Sequence, residues 1–349
     1  MLPDVLLDTT WTIQRIPPHT RLNKELKTLL TNLSGYASNP GRGRRAKEQL
    51  ESLSQECSEY VLARGRAEPY DELNDSSDRT GSLRECSISL LNATKRGASE
   101  YPLGLLIELR YQKTIDQVVL LTSIRPDDQQ YYIPLSLVKG AQGQIKKMKD
   151  WLDFRFDLPS ATPFQLPSNL LCQFCSRYLA IVGISCSAAE GAIRQAILKQ
   201  TVGSLKITIA FAHTGPVAIS PNLKTIDLEV PPETIGGLTK DIERRPSDSN
   251  SEDDILARLE TAIREKTGLI LPLTLTNHHD VDDEEPGNES PLKLSKLSCA
   301  AFAISTEGRL KFASKPIENA DVSGYEASTV STAYQELLEL LIADAEKAE

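Results

Sequence analysis

The chain has 349 residues, 40% apolar and 25% charged, and a formal net charge of -9. That acidic balance excludes a protein that coats nucleic acid through its overall charge, but leaves room for a local basic patch. No apolar run approaches the roughly 20 residues a spanning helix needs, and residues 1–15 lack a basic-then-apolar leader. The six cysteines therefore read as reduced thiols in a soluble intracellular protein of one large domain or two.

The first element is extended. Val5, Leu7, Thr9, Trp11 and Ile13 alternate with Leu6, Asp8, Thr10, Thr12 and Gln14. Period two with β-branched and aromatic residues predicts a half-buried strand. Pro17 and Pro18 end it by removing two N–H donors. Trp11 is expected in the core or on a partner. Leu22, Leu26, Leu29, Leu30 and Leu33 then fall at helical spacing, stopped by Ser34-Gly35. SNPGRGRRAK, residues 38–47, reads as a basic loop, and KEQLESLSQECSEYVLARG as a helix. Residues 66–82 are polar and rich in turn formers.

The middle is rich in strands: CSISLLNAT, LGLLIELRYQ, QVVLLTSI and YYIPLSLV. SATPFQLPSNLLCQFCSRYLAIV begins extended and turns helical near Pro167, which suits a first helical position. Leu170, Leu171, Phe174, Cys175, Tyr178 and Leu179 mark one face of that helix. GSLKITIAFAH and NLKTIDLEVPP each have one apolar and one polar face, as in an antiparallel sheet wetted on one side.

Residues 243–254 form a charged linker whose serines, Ser247, Ser249 and Ser251, have acidic neighbours suited to phosphorylation. A helix is expected from Ile255 to about Lys266. Residues 278–290 are a second acidic insertion with a disordered composition. LSKLSCAAFAIS and GRLKFAS, joined by Thr306-Glu307-Gly308, predict a hairpin. Val330, Ala333, Tyr334, Leu337, Leu338, Leu341 and Ile342 form the stripe of a terminal helix. Strands adjacent in sequence, with helices but no regular βα alternation, predict an α+β fold. Its organisation is an N-terminal region, 1–150, with basic and polar loops, continuous with a C-terminal sheet region, 151–349.

Motifs for chemistry are weak. Cys172 and Cys175 in CQFC have zinc or redox spacing, but no second ligand pair matches. They sit inside an apolar helix rather than at its start, where the dipole would activate a thiol. GISCS, residues 183–187, lacks the closing glycine of a hydrolase elbow. His278, His279 and the carboxylates around them are adjacent on one polar run, which reads as a solvated charge cluster. No phosphate-cradling glycine loop is present. No cofactor, metal or catalytic residue is expected. The alternative is an α+β enzyme using a reactive cysteine of the CQFC segment.

What stands out is surface apparatus. Arg42, Arg44, Arg45 and Lys47 fall within six positions, and KGAQGQIKKMK adds Lys139, Lys146, Lys147 and Lys149. Both are candidates for DNA-backbone contacts. The segment carrying Ala301, Phe302, Ile304, Leu310 and Phe312 has few polar side chains on either face. It is either a central strand pair or an edge awaiting a partner.

Several pieces, in order, resemble the centromere protein L family as found in fungi: DTTWTIQRIPP, YPLGLLIELR, FRFDLPSATPFQLPSNLL, GSLKITIAF, LKTIDLEVPPETI, EKTGLILPL and SKLSCAAFAISTEGRLKF. The resemblance implies a non-enzymatic inner-kinetochore scaffold in the nucleus, with a large curved, mostly antiparallel sheet and flanking helices. It implies pairing with a centromere protein N homologue, partly through the C-terminal region. It also implies contact with other inner-kinetochore subunits and with the centromeric nucleosome and its DNA through the complex. Self-association as a homodimer is a further implication; a membrane is not. Within it, Ala301, Phe302, Ile304, Leu310 and Phe312 become candidates for the partner interface.

Overall fold

The computed structural model describes residues 3–17, 24–34, 40–67, 81–91, 104–124, 131–186, 191–211, 225–239, 251–269, 271, 292–316 and 327–347. The chain divides into two compact units. The first comprises Thr10–Phe164 with Ile342–Glu349, and the second Leu2–Thr9 with Gln165–Leu341.

The first unit builds a sheet in the order β2 (Leu83–Leu91), β3 (Gly104–Tyr111), β4 (Ile115–Ile124), β5 (Tyr131–Lys139), β1 (Thr10–Arg15). The short β6 (Thr162–Pro163) also pairs with β1. All these pairings are antiparallel. At Gly104 the neighbouring strand comes so close that an added Cβ would lie 2.1 Å from the Leu120 carbonyl oxygen. Register shifts between Leu83 and Glu85 and between Leu121 and Ser123 are bulges that bend their strands.

Three helices complete this unit: α1 (Lys24–Ser34), α2 (Pro40–Ala67) and α3 (Gln142–Phe156). Leu26, Leu29 and Leu30 of α1, Leu53, Cys57 and Val61 of α2, and Met148, Trp151 and Leu152 of α3 share one core with β3 and β4. Arg155 near the end of α3 ties the three helices together. It donates to the Glu25 carboxylate of α1, and its Nε lies 2.9 Å from the Glu56 carboxylate of α2.

The second unit carries the order β11 (Arg309–Phe312), β10 (Phe302–Ser305), β9 (Leu292–Ser298), β7 (Leu205–Phe211), β8 (Thr225–Val230), again antiparallel throughout. Its helices are α4 (Ser168–Ser185), α5 (Gly191–Thr201), α6 (Pro232–Thr239) and α7 (Ser251–Thr267). It also takes α8 (Ala327–Lys347) as far as Leu341. Every residue of the stripe read along α4 is buried, as is the stripe of α8. Phe302 meets Phe174 and Tyr178 edge-on, with ring centroids 6.0 and 5.3 Å apart. The α+β class with curved, mostly antiparallel sheet and flanking helices is thus the one observed.

Three local expectations need correction. The first strand starts at Thr10, not Val5, because Asp4–Leu6 form a 3-10 turn and Asp8 takes a left-handed backbone, φ 52°. Asp8 is used differently there: its N–H donates to the Phe312 carbonyl at 2.7 Å and its carboxylate accepts from the Ser314 N–H at 3.2 Å. The basic loop is helical from Pro40. Proline's fixed φ suits a helix start, and the arginines behind it are good helix formers. The expected hairpin is three strands, because the chain reverses at Cys299–Ala301. Residues 68–80, 243–250 and 278–290 of the expected loop, linker and insertion lie outside the described residues.

Candidate functional site

The basic residues of the first cluster sit on the opening turns of α2. Arg44, Arg45 and Lys47 are exposed. Arg44 Nε lies 3.1 Å from the Glu48 carboxylate, and Lys47 Nζ 3.8 Å from Glu51. These are exposed i,i+4 pairs, weak and screened by salt, and easily exchanged for phosphate. Arg42 lies in the same turn of helix.

The second cluster belongs to the end of β5 and to α3. Lys146 is exposed and Lys139 and Lys147 are half-buried. Lys149 is turned inward, its Nζ donating to the Ala161 carbonyl at 3.4 Å, and burial lowers its pKa.

The two clusters are not brought together. Ser54 Oγ of α2 accepts the Ile88 N–H of β2 at 2.9 Å, and Cys57, one turn on, hydrogen-bonds Cys86. The helix therefore runs antiparallel to the strand, and Arg44–Lys47 project toward the Leu91 end. The first turn of α3 lies at the opposite end, where Tyr111 Oη donates to Gln144 Oε1 at 2.7 Å and Tyr111 pairs with Leu83. A strand of this length separates the clusters by roughly 30 Å.

α3 starts on a buried carboxylate. Asp116 Oδ1 accepts the Ala141 N–H at 2.9 Å, while Oδ2 has no hydrogen-bond partner. Burial raises the Asp116 pKa against the pull of the Ala141 N–H and Lys139. The turn before α3 needs glycine: Gly140 has φ 139°, and an added Cβ would lie 2.0 Å from Asp116 Oδ1.

Ala301, Phe302, Ile304, Leu310 and Phe312 are each at most 2% exposed. β10 is a central strand, with β9 and β11 on its two sides. Of the two readings left open by the sequence, the central one describes these residues, so their side chains are not bare. Tyr334 of α8 closes over them: its hydroxyl lies 2.9 Å from the carbonyls of both Ala301 and Ala313, and its ring is 4.8 Å from that of Phe312.

Cys172 and Cys175 are buried in α4. Burial pushes the Cys172 thiol up to about 12 and the Cys175 thiol well above its ordinary value. Both are held as inert thiols, the opposite of what a nucleophile or redox pair requires. The four histidines, at 19, 213, 278 and 279, fall outside the described residues. Among the described residues no group of three potential metal ligands converges, and no helix is long and apolar enough to cross a membrane.

A groove of about 840 Å³ runs between α2 and β2, lined by Lys47, Glu51, Ser54, Glu85, Cys86 and Ile88 among others. Sequence reading missed it, along with the Asp116 cap and the Arg155 bridge. Each depends on partners tens of residues apart; only the helical spacing of Leu53, Cys57 and Val61 hinted at which face of α2 turns inward.

A search of curated proteins finds no match. The family model described as centromere protein L matches residues 5–346. The chain therefore belongs to the centromere protein L family, structural components of the kinetochore.

Proposed function

We propose that this protein is a non-enzymatic scaffold subunit of the inner kinetochore, acting in the nucleus. In this reading it pairs with a centromere protein N homologue and helps hold centromeric DNA together with other inner-kinetochore subunits. Family membership across residues 5–346 is the observation that carries it. The exposed arginines and lysine on the first turns of α2 support a DNA contact, because a helix fixes their spacing and their paired carboxylates are solvent-screened. For the partner, the buried hairpin side chains are replaced by a sheet edge. β8 pairs only with β7 among the described residues, and Thr225, Asp227 and Glu229 along it are exposed. Such an edge accepts an added strand through backbone hydrogen bonds.

The test is co-expression of the chain with the centromere protein N homologue, followed by light scattering and DNA titration over a salt series. A stable pair with salt-sensitive duplex binding is expected. Replacing Arg44, Arg45 and Lys47 together by glutamate should weaken binding equally on all sequences. The log–log salt slope should shrink by about 0.9 per lost phosphate contact. A monomer indifferent to that partner refutes the pairing, a homodimer that excludes it does the same, and unaltered DNA binding removes α2 from the contact.

A further inference from the structure

The seam between α2 and β2 holds two hydrogen-bonded thiols, Cys57 and Cys86. Cys57 is fully buried, whereas Cys86 is partly exposed and lines the groove. Their approach is fixed from both sides. Ser54, one turn before Cys57, accepts the Ile88 N–H at 2.9 Å, and its own hydroxyl donates to the Leu50 carbonyl at 2.7 Å. Helix and strand are thus tied three residues from one sulfur and two from the other. A disulfide brings its sulfurs to about 2.05 Å and its Cβ atoms to roughly 3.5–4.5 Å. Two hydrogen-bonded thiols on facing elements reach that geometry by small side-chain shifts.

We propose that Cys57 and Cys86 are a reversible oxidation site, forming a disulfide that staples α2 to β2 when a hydroperoxide enters the groove. Cys86, the accessible partner, reacts first. Its thiolate attacks one peroxide oxygen, an S–O bond forms, the O–O bond breaks, and hydroxide leaves. The sulfur is oxidised to sulfenic acid and the peroxide is reduced. Cys57 then attacks that sulfur: an S–S bond forms, the S–O bond breaks, and water departs with the Cys57 proton. A thiol reductant restores both thiols by exchange. Burial and the bond to Cys86 hold the Cys57 thiol protonated, far above its ordinary range, so it waits as the resolving group. In a reducing compartment the pair rests as two thiols. The staple fixes the helix that carries Arg44, Arg45 and Lys47, so oxidation and the basic turns share one rigid element.

The experiment uses the full native chain. Hydrogen peroxide is added, free thiols are alkylated, and the protein is digested without reductant. A peptide linking residues 57 and 86 is expected, with thiols titrated in denaturant falling by two from six; dithiothreitol should reverse both. Cys57→Ser leaves Cys86 without its resolving partner, so dimedone should trap sulfenic acid at Cys86. Six persisting thiols overturn the proposal, as does a loss that maps to other cysteines or to links between chains. The linkage is mapped on the unaltered chain, so the decision does not depend on the variant folding.

Discussion

Tyr334→Phe is the most informative single change, because it removes one buried hydroxyl and nothing else. The ring contacts stay, with Phe312 at 4.8 Å and Tyr178 at 6.5 Å. A phenol has one proton, so the carbonyls of Ala301 and Ala313, each 2.9 Å from Oη, share a bifurcated bond. Ala301 keeps a partner, the Ala313 N–H at 2.7 Å. The Ala313 carbonyl loses the bond it takes from this hydroxyl. One lost bond plus the desolvation of that carbonyl gives a loss of about 2 kcal/mol, or about 30-fold in the open population of β10 and β11. Both tryptophans, Trp11 and Trp151, belong to the first unit, so their fluorescence does not report this loss. Hydrogen exchange of the amides at 302–312 does. Burial also raises the Tyr334 pKa above its ordinary 10. Its contribution is full below about pH 10 and is lost as pH climbs through the folded value. Phenylalanine has no such group, so the gap between wild type and variant should narrow above pH 10. Exchange within a factor of two of wild type would refute the argument and reopen the hairpin as a bare partner surface.

Asp116→Asn keeps an acceptor for the Ala141 N–H and removes a charge that burial penalises. The wild-type penalty is absent below the unfolded value near 3.8, grows as pH rises, and is full above the raised folded value. The variant should therefore gain on wild type in urea midpoints between pH 4 and pH 7; a gain that shrinks with rising pH contradicts this. Gly104→Ala should cost about 3 kcal/mol, read by thermal unfolding, since its Cβ would collide with the Leu120 carbonyl; a neutral effect would mean the strands separate freely there. In native protein, thiol reagents should label Cys86 and Cys299, both partly exposed, well before Cys172 and Cys175. Rapid labelling within CQFC at neutral pH would restore the reactive-thiol reading.

Most elements were legible because their signals are local. Alternation over 205–211 and the stripes of α4 and α8 need no distant partner to declare a strand or a helix. The misreadings share a different cause. Asp8 breaks its strand because the Phe312 carbonyl and the Ser314 N–H, some 300 residues away in the chain, offer better partners than a longer ladder. GRGRRAK looked like a loop because glycine weakens local helix propensity, yet Pro40 starts a helix there that docks Leu53, Cys57 and Val61 into a core.

The sequence by itself determined the class of fold, the burial of Trp11, the inert setting of CQFC and the membership in a centromere family, since these rest on periodicity, composition and the order of motifs. Tertiary structure alone decided which strands are central, that two basic clusters stand at opposite ends of one unit, and that Cys57 meets Cys86. Those outcomes depend on which distant backbone groups satisfy one another's hydrogen bonds. Linear spacing carries no record of that pairing.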